Sequence, residues 1–221
     1  MNKLNKYVGY FKVGLGLTTK IGVPQAVEIV HERGAKVFVD LKIHDIPNTD
    51  IDAVKALNSM GADILNVHAS AGINAMLDVA ENKGKALAYA VTVLTSLDDE
   101  EAHLVYNMPV KTKVLQFARD AKLAGMDGII CSAEELAMLA KHRELNSLRR
   151  IVPGIRPKWA QKNDQSRIMT PREAILAGGA GIKLVIGRPI SKPPEGIDTP
   201  EEAVLLILEE IYEALEFLGA V

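Results

Sequence analysis

Apolar and polar positions along the chain fall into two alternating textures. Short runs rich in β-branched and aromatic residues are followed by longer stretches in which apolar residues return every three or four positions, the patterns of strand and amphipathic helix respectively. The strand-like runs are YFKVGL (10–15), KVFVDLK (36–42), ADILNVHA (62–69), ALAYAVTVL (86–94), DGIICS (127–132), RRIVPGI (149–155) and GIKLVIG (181–187). Between them lie helical patterns such as PQAVEIVHERG, with proline in its first turn and a stop at Gly34, and TDIDAVKALNSMG, with a stop at Gly61. Strand and helix taking turns predicts repeated βαβ units and a parallel sheet. The expected architecture is a (β/α)8 TIM barrel, a single domain over residues 1–221 that lacks its first βα unit. Seven strands are visible, and the residues before YFKVGL are too few for a further strand and helix. That start is read as a truncation, since an open barrel leaves two strand edges to be covered. The longest irregular stretch, RPKWAQKNDQSR (156–167), has the length of a functional loop.

Composition narrows the function classes. Twenty-six basic residues stand against 28 acidic ones, so no general positive field is available to hold nucleic acid or an anionic membrane. An anionic ligand has to be met locally. The single cysteine, Cys131, has no partner in the chain for a disulfide or a cysteine-rich zinc site, and it reads as a small buried hydrophobe in a reducing, cytoplasmic setting. The amino-terminal MNKLNKYVGYF lacks the apolar centre of a signal peptide, and the apolar tail AVLLILEEIYEALEFL is interrupted by glutamates at helical spacing. Neither export nor membrane insertion is expected.

The candidate chemistry sits where KVFVDLK ends. In VDLKIHDIPNT, Asp40 and Lys42 are two apart and share one face of the strand, whereas Val37 and Val39 carry the other parity toward the helices. The carboxyl end of a barrel strand is where such folds do chemistry. A lysine set between Asp40 and Asp45 keeps its cationic form and becomes a fixed proton donor. Lys12 lies in another strand between Phe11 and Val13, where an unpaired ammonium is costly, and Asp40 is its natural partner. Lys12, Asp40, Lys42 and Asp45 are therefore expected to form an alternating array in a nearly dry site. Gly187 and Arg188 directly follow the last strand, where barrel enzymes hold phosphate with backbone N–H groups and a cation. Arg156 follows a strand and a PG turn, facing the same mouth. His44 and His68 lie near the site without a paired nucleophile or metal-ligand spacing and read as supporting residues.

FKVG, DLKIHDIPNT, VTVLTS, PGIR with a following DQ, and IGRPI, in that order and across almost the whole chain, resemble the orotidine 5'-monophosphate decarboxylase family. The resemblance implies a cofactor-free, metal-free decarboxylase that makes uridine monophosphate in pyrimidine biosynthesis. It makes Lys42 the donor of the C6 proton and Lys12 a ribose-contacting lysine bridged to aspartate. Asp45 and Thr49 would reach into a neighbouring subunit's site, which implies a homodimer with shared active sites. Thr95, with Ser96 beside it, would lie near the pyrimidine, and Arg156, Gln165, Gly187 and Arg188 would grip the phosphate and close the loop. An aspartate at the end of the family's first strand has no counterpart here. Two alternatives remain open at this point. One is a magnesium-dependent sugar-phosphate decarboxylase or hexulose phosphate synthase of the same barrel group; the other is a non-catalytic nucleotide-binding barrel.

Overall fold

A computed structural model describes residue 1, residues 3–160 and residues 169–220. The order of elements is β1 (Phe11–Gly14), α1 (Leu15–Ile21), α2 (Val23–His31), β2 (Val37–Ile43), α3 (Pro47–Ser59), β3 (Ile64–His68), α4 (Ile73–Asn82), β4 (Leu87–Val91), α5 (Asp99–Tyr106), α6 (Val110–Leu123), β5 (Gly128–Ile130), α7 (Leu136–Leu139), β6 (Arg149–Val152), α8 (Pro171–Gly178), β7 (Lys183–Leu184), α9 (Arg188–Ser191) and α10 (Pro200–Phe217). The described strands form one seven-stranded sheet in strict sequence order, with helices in the connections. That is the α/β topology of TIM-barrel folds, and all seven runs expected from the sequence are strands. Among the described residues no helix is long and apolar enough to cross a membrane.

The chain divides into two compact units, one of residues 1–92 with 117–129 and the other of residues 93–116 with 130–221. In the first unit β1 to β4 pair in parallel, Phe11 opposite Val37 and Ile64 opposite Leu87, and Val39 and Leu65 of the sheet are buried together with Val27 and Val30 of α2 and Met76 of α4. The valine and isoleucine content of these strands suits them to burial on both faces. In the second unit Leu136, Leu139, Ile151, Ile155, Ala174 and Ile207 are buried. Cys131 is enclosed as expected, at 1% exposure.

Helix boundaries follow local chemistry. α2 begins beside Gly22, whose φ of 81° suits glycine, and it carries proline in its first turn. α3 starts at Pro47, two residues ahead of the sequence expectation, because a proline at the first helical position has no N–H to leave unpaired; Thr49 is thereby drawn into the helix's first turn. Thr199 caps α10 by accepting from the Glu202 N–H at 3.1 Å.

One device recurs in the first unit. Asp63, immediately before β3, accepts the N–H of Val37 at 2.8 Å, and Asp127, immediately before β5, accepts the N–H of Ala88 at 2.7 Å. Each carboxylate satisfies a backbone donor at the entry of the preceding strand. Asp127 also binds Lys83 at 2.8 Å. Replacing Asp127 by alanine leaves a half-buried N–H and an ammonium without their acceptor. A loss of about 1–3 kcal/mol is expected, measured by urea unfolding, with a smaller loss for Asp127→Asn, which keeps an acceptor oxygen.

Candidate active site

Strand β2 does not run straight through its charged end. Val39 stands opposite Leu65 on β3, yet the next pairing is Ile43 with Val67, so four steps on β2 span two on β3. Asp40, Leu41 and Lys42 occupy this bulge, and Lys42 has a φ of 54°, a left-handed conformation that a lysine rarely adopts. A residue held there costs of order 1–3 kcal/mol and persists only where its surroundings enforce it. The contact seen here is with Asn66, the β3 residue that faces the bulge. Its side-chain oxygen accepts the Lys42 N–H at 2.8 Å, taking the place of a ladder carbonyl.

Asp40 is the hub of the site. Lys12 Nζ lies 3.0 Å from its Oδ2, and Lys42 Nζ lies 2.7 Å from its Oδ1. Asn66 Nδ2 donates to the same Oδ1 at 2.7 Å. Only 11% of the Asp40 side chain is exposed, against 37% for Lys12 and 35% for Lys42, so the carboxylate is enclosed while both ammonium groups stay open to a ligand. Burial alone would raise the Asp40 pKa, but the Lys12 charge and the hydrogen bonds from Lys42 and Asn66 outweigh it and hold the carboxyl below its ordinary 3.8. Gly14 pairs with Asp40 across the sheet, and a Cβ there would sit 3.1 Å from Lys12 Nζ. The missing side chain is what lets Lys12 lie across its neighbour to reach Asp40.

Asp45 stands outside this cluster. Among the described residues it makes no ion pair with Lys42; its carboxylate accepts the N–H of Ile46, and its own N–H donates to Asp50 Oδ1 at 3.0 Å. A lysine clasped by two carboxylates of its own chain is therefore corrected to one carboxylate clasped by two lysines. The physical reason is that β2 ends at Ile43, and in the turn that follows the Asp45 carboxylate is taken up by the backbone N–H of Ile46. Asp45 and Thr49 are both exposed, and Asp50, in the first turn of α3, is fully buried, with desolvation raising its pKa against the hydrogen bond from Asp45.

His44 and His68 lie together, ring centroids 5.4 Å apart and tilted by 33°. Burial, then electrostatic interaction with His44 and Lys42, lowers the His68 pKa to about 4. Its imidazole is neutral at pH 7, as suits a flank of a lysine-rich site.

The remaining candidates belong to the second unit. Thr95 is half-buried in the turn closed by the Leu97 N–H on the Leu94 carbonyl at 3.0 Å. Arg156 is 7% exposed; its N–H donates to the Met169 carbonyl at 2.9 Å, and its guanidinium donates to the Ile155 carbonyl at 2.8 Å. Arg156 is thus an enclosed arginine and not a charge on a surface loop. Gly187 and Arg188 are exposed at the start of α9, where the Gly187 carbonyl accepts from Ile190 and Ser191. Gln165 lies outside the described residues.

Two residues that sequence reasoning did not single out complete the first cluster, Asn66 and Gly14. The signal for Asn66 was present, since a polar side chain between Leu65 and Val67 in an apolar strand needs partners as much as Lys12 did.

Residues 1–201 match the model of the orotidine 5'-phosphate decarboxylase / HUMPS family. The chain belongs to that family. Orotidine 5'-phosphate decarboxylase of Shewanella sediminis is 42% identical over 226 aligned positions, covering 99% of this chain and 91% of that protein. The Moorella thermoacetica protein of the same name is 41% identical, covering 89% of this chain and 81% of its own length. Among solved structures, orotidine 5'-phosphate decarboxylase from Lactobacillus acidophilus superposes with a TM-score of 0.72 at 31% identity, covering 90% of this chain and 85% of that one.

The His68 shift sets a pH dependence. Between pH 6.5 and about 4 the unfolded chain takes up a proton that folded His68 refuses, so the folded state loses stability as pH falls through that window. Urea midpoints followed against pH are expected to drop less steeply for His68→Asn than for the parent, the difference between the two curves isolating this group.

Proposed function

We propose that the chain is an orotidine 5'-monophosphate decarboxylase that forms uridine 5'-monophosphate and CO2 in de novo pyrimidine biosynthesis, with Lys42 protonating C6. The observation that carries this reading is the Lys12–Asp40–Lys42 cluster, an enclosed carboxylate flanked by two accessible ammonium groups. Relatives bearing that enzyme's name at about 40% identity over most of the chain support the carboxy-lyase class.

In this reading the C6 carboxyl carbon–carbon bond breaks, CO2 leaves, and the electron pair stays on C6. The Lys42 ammonium lies where that charge develops and then gives C6 its proton, so one group supplies both electrostatic stabilisation and general acid catalysis. Asp40 fixes Lys42 through the 2.7 Å bond and, on its other oxygen, fixes Lys12 for the ribose. Thr95 serves the pyrimidine. Arg156, Gln165, Gly187 and Arg188 serve the phosphate, and binding energy gathered there is spent on holding the ring in place. A Cβ at Gly187 would meet nothing within 4 Å, so packing does not demand glycine and close approach of a phosphate explains it. The exposed Asp45 and Thr49 fit a homodimer in which each chain completes the other's site. The protein acts without a metal or organic cofactor in a cytoplasmic pathway.

The test is ultraviolet loss of orotidine 5'-monophosphate in the presence of chelator. The parent is expected to turn over, and Lys42→Ala to lower kcat by about 10³-fold or more. Turnover that chelator abolishes and magnesium restores would instead favour the sugar-phosphate branch of the family. Binding of uridine monophosphate without turnover would favour a non-catalytic barrel.

Arg188→Ala is expected to lower kcat/KM about 100-fold while moving Tm by less than about 2 °C, because an exposed arginine contributes little to packing. Parallel losses in activity and melting temperature would count against its phosphate role.

A further inference from the structure

The bulge in β2 creates a problem that one side chain solves. Between the Val39–Leu65 and Ile43–Val67 pairs, the backbone of Asp40 to Lys42 departs from the regular ladder, and the N–H of Lys42 needs an acceptor other than a paired carbonyl. Asp40, enclosed at the same place, needs donors for its oxygens. Asn66 is 0% exposed and meets both needs at once, accepting from the Lys42 N–H at 2.8 Å and donating to Asp40 Oδ1 at 2.7 Å. The two partners fix which way the amide points, since a backbone N–H requires its oxygen and a carboxylate its nitrogen. No other side chain of this size offers an acceptor and a donor in that fixed arrangement. Leucine offers neither, and aspartate offers the donor only while protonated.

We propose that Asn66 is a positioning residue for the decarboxylation put forward above: it locks the left-handed backbone of Lys42 and the Asp40 carboxylate to each other, so that the Lys42 ammonium is held at one point relative to C6. The inference rests on the proposed activity for its kinetic consequence and on the bulge for its structural one. Asn66 touches no reacting atom. It acts through the two ends of Lys42, tethering the backbone directly and the ammonium through their shared partner, Asp40 Oδ1. Such tethers matter because a displacement of about 1 Å at a reacting group costs about 100-fold in rate.

The experiment compares the full chain with Asn66→Ala and Asn66→Asp in steady-state decarboxylation, uridine monophosphate affinity, melting temperature and crystal structure. Asn66→Ala is expected to lower kcat about 100-fold, while uridine monophosphate affinity, which draws on the proposed phosphate residues, changes by less than about threefold. Its crystal structure is expected to show residue 42 leaving positive φ and the Lys42–Asp40 contact lengthening. Asn66→Asp is nearly isosteric and gives a signature that a merely structural role does not. The titratable groups reached by its hydrogen bonds and those of Asp40 are Asp40, Lys42 and Lys12. At low pH the new carboxyl is protonated and donates as the amide did; as pH rises it ionises beside Asp40, so activity is expected to fall with pH where the parent's profile is flat. Variants that fold and keep the parent's kcat, pH profile and φ at residue 42 overturn the proposal. Variants that fail to fold where the parent is stable overturn it in favour of a purely structural role. If the parent itself does not decarboxylate the nucleotide, the proposed function fails, and the φ at residue 42 in Asn66→Ala alone decides whether Asn66 holds this backbone.

Discussion

The site depends on the enclosure of one carboxylate. A buried Asp40 is unfavourable unless its oxygens are matched, and the chain matches them with Lys12, Lys42 and Asn66 drawn from three adjacent strands. Because each donor is charged or itself buried, the arrangement is stiff, and the two ammonium groups inherit fixed positions while remaining open to solvent and ligand. The carboxylate thus sets the geometry, and the lysines present the charge.

This order of dependence extends to the surrounding fold. Parallel pairing of β1 with β2 brings Lys12 and Gly14 alongside Phe38 and Asp40, and the absence of a side chain at Gly14 gives the Lys12 ammonium its route. Bulging of β2 against β3 turns Lys42 out of the regular ladder, and Asn66 compensates from the facing strand. The unit pairs an ordinary hydrophobic layer of Val37, Val39, Leu65 and Val67 with a strained charged end. The apolar layer supplies the rigidity against which the strain at residue 42 is held.

The alternation of apolar runs and helical periods was enough to locate all seven described strands, because parallel strands buried on both faces leave dense β-branched signals such as KVFVD and GIKLV. Strand ends were less legible. Hydrophobicity continues beyond the last ladder hydrogen bond in ALAYAVTVL and GIKLVIG, so both strands are shorter than their apolar runs. In the site, the Lys12–Asp40 pairing could be reasoned from the cost of a lone ammonium in a strand, whereas Asp45 lies beyond the end of β2, in a turn whose geometry the sequence does not display. The bulge before it likewise leaves no glycine or proline to announce it. Asn66 shows in its own strand as a polar side chain in need of partners, but which partners it meets depends on a bulge that two strands form together. The backbone N–H of Arg156 is likewise met from thirteen residues along the chain, by the Met169 carbonyl.

The left-handed backbone at position 42 also has an evolutionary reading. Two demands of different origin meet in one residue: the proposed reaction asks for an ammonium, and the bulge asks for a side chain that tolerates positive φ. The first is met by lysine, the second best by glycine or asparagine. A lineage released from the reaction would keep the geometric demand while losing the chemical one, so drift at this position would run toward glycine and asparagine and away from valine, isoleucine and threonine. Lysine at a backbone position that disfavours it is therefore a choice that the proposed chemistry accounts for and the backbone geometry alone does not.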